Sequence, residues 1–102
     1  MSVSNAKKEL RLSKEELETI KKIKDFFDGD VYIFGSRVNI NKRGGDIDLY
    51  LIPKTSLSVK ERILLKMEIK RFLEERLLIP VDVVFDNETL RDEVLKNGYK
   101  ID

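Results

Sequence analysis

Apolar positions follow two periods along this chain. Leu17, Ile20, Ile23 and Phe27 recur at helical spacing. Ser13 with Glu16 forms a capping box, and Leu12 with Leu17 fits a hydrophobic staple. A helix is therefore expected over 14–28, with Gly29 as its C-terminal stop. Val31-Tyr32-Ile33-Phe34 is β-rich and apolar at successive positions, the pattern of a central strand buried on both faces. From 46 to 52 the period falls to two. Ile47, Leu49 and Leu51 point one way, Asp46, Asp48 and Tyr50 the other, and Pro53 ends the strand. Between the strands, residues 35–45 hold Gly35, Gly44 and Gly45 and no strong period, so they read as a loop or a short irregular helix.

Ser58 and Glu61 propose a second capping box, opening a long helix to about Leu78. Its apolar residues, among them Ile63, Leu64, Met67, Ile69 and Leu73, do not keep to one stripe. Such a helix is either covered on two sides or meets a partner. Ile79-Pro80 breaks it, and Val81 to Phe85 forms a third strand in which Asp82 alternates with Val81 and Val83. Asn87 caps a last helix to about Lys96, Asn97-Gly98 ends it, and Tyr99 to Asp102 is a short edge strand or a tail. The order α-β-loop-β-α-β-α predicts an α/β (α+β) fold, a small mixed sheet flanked by helices in two or three layers. The strands flanking 35–45 can pair antiparallel, and the long helix suits a crossover. Residues 1–12 read as a flexible N-terminus and 13–102 as a single domain.

Composition narrows the chemistry. Charged residues make up 38% of the chain, but 20 basic residues nearly cancel 19 acidic ones. That balance argues against a nucleic-acid or membrane partner held by a global field. No apolar run approaches the ~18 residues of a membrane span and the N-terminus lacks an apolar signal segment, so a cytoplasmic location is expected. The chain has no Cys and no His. Thiolate nucleophiles, Cys/His zinc sites and imidazole acid–base catalysis are therefore excluded. Catalysis here must use carboxylates, hydroxyls, Lys/Arg, backbone dipoles or a bound ion.

One stretch assembles those parts. Asp46 and Asp48, two apart on a strand, project from one face with backbones about 6.5–7 Å apart. Carboxylates that close repel unless a cation lies between them. Oxygen ligands without His or Cys select Mg²⁺, with Mn²⁺ as the alternative. Asp82, on the third strand, is the candidate third carboxylate, completing a site for two ions. Gly35 permits close approach of backbone to a ligand, Ser36 offers a hydroxyl and an amide, and Arg37, Lys42 and Arg43 add positive charge. A phosphate cradled at Gly35-Ser36 beside metal-binding aspartates makes a coherent nucleotide site, though not a Walker loop. Each part alone is commonly a turn or a solvated strand face; their order and spacing make the site.

"GSRVNINKRGGDIDL" resembles the signature of the DNA polymerase beta-like nucleotidyltransferases: Gly-Ser, a spacer of about ten residues, then Asp-x-Asp. The short length, the "FGSR" start and "PVDVVF" resemble the minimal nucleotidyltransferases, and the likeness covers about Val31 to Gly98. Val38-Asn39-Ile40 replaces the Ala-Arg-Gly that often follows "GSR" in them. The resemblance implies that Gly35 and Ser36, with Arg37 beside them, bind the triphosphate tail of ATP. It implies that Asp46 and Asp48 ligate both ions, and Asp82 the one that activates the attacking hydroxyl. It further implies AMP transfer to a hydroxyl, and as partner a small helical HEPN protein, a ribonuclease-like toxin carrying the acceptor tyrosine. The chain would then be an antitoxin enzyme, working in a homo- or hetero-oligomer. The alternatives are a non-catalytic module that neutralises its partner by contact, or transfer to a small molecule or an RNA end.

Overall fold

The computed structural model of the chain describes residues 12–34 and 47–101. Helix α1 (Lys14–Lys21) opens on the expected capping box, with both Ser13 and Glu16 bonds formed. It is shorter than its periodicity predicts. The chain tightens into a 3₁₀ turn over Lys22–Asp25, where the Ile23 carbonyl accepts from the amides of both Phe26 and Phe27. That turn swings Phe27 into the core. Gly29 then begins the first strand instead of ending a helix, and it does so at φ 155°. Its backbone runs so close to the neighbouring strand that a Cβ would lie 2.3 Å from the Ile52 carbonyl oxygen. Glycine is required there by both the angle and the approach.

Four strands follow among the described residues: β1 (Gly29–Phe34), β2 (Ile47–Pro53), β3 (Val81–Phe85) and β4 (Tyr99–Ile101). They stand in the order β3-β2-β1-β4. β1 pairs antiparallel with β2 and with β4, whereas β2 and β3 are parallel. Tyr99–Ile101 is thus an edge strand and not a tail. Helix α2 (Val59–Leu77) provides the β2–β3 crossover, and α3 (Glu88–Asn97) links β3 to β4. Both links join parallel strands but travel in opposite directions across the sheet. Right-handed crossovers therefore place the two helices on opposite faces.

The burial pattern agrees. Val31, Ile33, Ile47, Leu49, Leu51, Val81, Val83 and Ile101 form one cluster with Ile20, Ile23 and Phe27 of the first helical segment and Ile69 and Leu73 of α2. Tyr50 of β2 and Val94 of α3 are fully buried outside that cluster, on the other face of the sheet. Alternation thus sends the odd positions of β2 into the main core and the even ones to the α3 face. β1 is only half as buried as its apolar run implies: Tyr32 and Phe34 are part-exposed on the second face. Among the described residues α2 is not covered on both sides: Ile63, Leu64 and Met67 stay more than half exposed. Among the described residues no helix is long and apolar enough to cross a membrane.

Candidate active site

Register brings the acidic positions together. In the parallel pairing of β2 with β3, Asp48 lies directly opposite Asp82. In the antiparallel pairing of β1 with β2, Phe34 lies opposite Asp48. One row across the second face therefore reads Phe34, Asp48, Asp82. Adjacent strands run about 4.8 Å apart, so two carboxylates leave neighbouring backbones on the same side. Asp48 is half-buried and Asp82, on the edge strand, is exposed. Like charges directly opposite each other destabilise a sheet. The pair is a donor set of hard oxygens that a divalent cation suits and that no Cys or His competes for.

Gly35, Ser36, Arg37, Lys42, Arg43 and Asp46 lie outside the described residues. Among the described residues, no three acidic side chains gather into a metal-sized cluster. Asp86, which alternation sends to the same side as Asp82, is taken up elsewhere. Its carboxylate accepts from the Tyr50 hydroxyl at 2.5 Å and from the Arg91 guanidinium at 3.1 Å.

Three residues that hold the strands in place were not apparent from the sequence pattern. Glu74 of α2 accepts from the Val81 amide at 2.8 Å and from the Lys70 ammonium at 2.8 Å. Lys70 also donates to the Val81 carbonyl. The residue before Asp82 is thereby clamped at both backbone groups. Lys70 and the Val81 amide hold the Glu74 carboxyl below its ordinary range. The pair sits four apart on a helix, which is a legible signal, but nothing in the sequence says that its target is a strand start. The third residue is Tyr50. Its hydroxyl accepts from the Asn87 amide at 2.8 Å while donating to Asp86. Burial first, and then the bond to Asp86, push its pKa above the usual 10.0.

A mixed sheet of this order, with paired aspartates on the open end of one face, defines a nucleotidyltransferase-like domain. The polymerase beta nucleotidyltransferase family model matches residues 21–101, and the chain belongs to that family. No curated protein matches it in sequence. Solved structures do match in fold. A chain of the toxin-antitoxin pair MntA-HepT superposes with a TM-score of 0.63 at 19% identity, over 87% of this chain and 71% of that one. A chain from the complex of tri-AMPylated Shewanella oneidensis HEPN toxin with MNT antitoxin gives 0.66 at 21% identity, over 88% and 71%. One from a toxin-antitoxin structure with AMP-PNP gives 0.66 at 20% identity, over 88% and 73%.

Proposed function

We propose that this chain is a metal-dependent nucleotidyltransferase that moves AMP from ATP to a tyrosine hydroxyl of a HEPN-type toxin and so acts as its antitoxin. The observation that carries the reading is the side-by-side register of Asp48 and Asp82 in a chain of this family. In the reaction, the acceptor oxygen bonds to the α-phosphorus as the bond to the bridging oxygen breaks. Pyrophosphate leaves and the hydroxyl proton goes to solvent. Asp48 and Asp82, with Asp46, are the residues that would hold Mg²⁺ or Mn²⁺. Such ions, when bound, supply neutralisation of phosphate charge and acidification of the acceptor hydroxyl. Gly35, Ser36 and Arg37 would bind the triphosphate. Asp82 is exposed on an edge strand, so an acceptor carried by a second molecule can approach it.

The surface supports a protein acceptor. Val59, Ile63, Leu64 and Met67 are 53–63% exposed along α2. Apolar side chains grouped in this way mark interaction sites. The fold is shared with chains from MNT–HEPN complexes, one of which holds an AMPylated toxin. The test is intact mass. The purified chain is incubated with ATP, Mg²⁺ and a HEPN-type protein, and both masses are taken. The reading expects the mass of AMP added to the HEPN protein. A stable complex whose masses never change would favour neutralisation by contact alone.

A further inference from the structure

We propose that Tyr50 is a positioning residue of this site, whose hydroxyl locks the end of β3 to β2 and so fixes Asp82 relative to Asp48. The inference rests on the functional reading above and deepens it. Tyr50 lies on the aspartate face of β2, one outward position beyond Asp48. It is fully buried. A phenylalanine would fill that space without a polar atom, so the hydroxyl needs its own account.

That hydroxyl reaches across β3 to the link between β3 and α3. It donates to Asp86 and accepts from the amide of Asn87, whose own side chain caps α3 at Leu90. Arg91, one turn into α3, holds the far oxygen of the same carboxylate. The Asp86 amide donates to the Leu51 carbonyl at 2.8 Å, so the link is tied to β2 by backbone as well. At its other side the Tyr50 ring meets Phe34 edge-on, with centroids 6.1 Å apart and planes at 86°. Phe34 is the last residue of β1 before Gly35-Ser36 and the register partner of Asp48. One side chain of the Asp48 strand thus joins the end of β1 to the link that directly follows the strand of Asp82. With the Glu74–Lys70 clamp at Val81, β3 is pinned on both sides of Asp82.

A packing role alone would show in stability and leave ion affinity unchanged. The experiment therefore measures Mn²⁺ binding by calorimetry, without nucleotide, on the wild-type chain, Tyr50→Phe and Ser58→Ala. The last removes the cap of α2, at the far end of the fold from the aspartates, and serves as the destabilised control. Tyr50→Phe should bind Mn²⁺ about tenfold more weakly, the low end of what loss of a group that orients metal ligands costs. Ser58→Ala should bind as the wild type does, although its Tm falls. If Tyr50→Phe does not fold, Asp86→Ala removes the acceptor of the same hydroxyl and should weaken Mn²⁺ in the same way. A folded Tyr50→Phe, or in its place Asp86→Ala, that binds within twofold of wild type overturns the role of Tyr50 alone. Wild-type protein that takes up no Mn²⁺ overturns the metal site itself, and this inference with it.

Discussion

Asp48 and Asp82 are 34 positions apart in the chain and next to each other in the sheet. The sequence places each on the outward side of its strand, since both alternate with residues that enter the core. It does not specify the register, which depends on where α2 delivers the chain. Glu74 makes part of that register by taking the Val81 amide, and its charge gives the contact a pH signature. Its folded pKa is depressed below 4.5 by Lys70 and the Val81 amide. The contribution is therefore present above about 4.5 and lost as pH falls through the lower folded value. Urea midpoints of the wild type and Glu74→Gln should differ at about pH 6, and the gap should narrow as pH falls below about 4.5. A gap that widens in acid would contradict this assignment. Tyr50 has the opposite sign. Its pKa is raised, so its hydroxyl stabilises the fold below pH 10 and loses that effect as pH climbs through the folded value.

At the scale of elements, both capping boxes were legible, because Ser-x-x-Glu describes a local geometry that tertiary contacts rarely override. The end of α1 was not. Phe27 keeps the helical period, but its burial requires the tighter turn, and Gly29 is claimed by the β1–β2 approach. Gly29→Ala should therefore cost well over the ~1 kcal/mol of an ordinary glycine replacement, read as a lowered urea midpoint. Helix α2 illustrates how burial divides what composition blurs. Its apolar residues look scattered in sequence, yet Ile69 and Leu73 are fully buried while Leu64 and Met67 face solvent. Leu73→Ala should cost about 2–5 kcal/mol of stability. Met67→Lys should stay within about 0.5 kcal/mol of wild type. In a pull-down with a HEPN-type protein, Met67→Lys should nevertheless lose the partner. Undiminished capture would remove the α2 face from the interface.

The whole molecule combines a covered face and an open one. The main core lies between the sheet and the pair α1–α2, and it sets sheet order, strand direction and the sides of the helices. The opposite face is covered by α3 at Tyr50 and, among the described residues, left open at the aspartate row. Fold class was legible because hydrophobic period and connection length constrain it strongly, whereas strand direction was left open by the sequence and is decided by the pairing of β2 with β1 and β3. Whether the tail joins the sheet was not legible either, since three residues of Tyr-Lys-Ile carry little pattern, and only their pairing with Val31, Tyr32 and Ile33 decides it. In the proposed function, Asp48 and Asp82 act jointly on one nucleotide through a divalent ion. The most direct test of that joint action is the rate of AMP transfer to a HEPN-type protein, with ATP and Mg²⁺, for the wild type, Asp48→Asn and Asp82→Asn. Each folded variant should lose about a hundredfold or more, since such an ion contributes several kcal/mol to the transition state. A variant that retains wild-type transfer, or transfer that persists in excess EDTA, would contradict it.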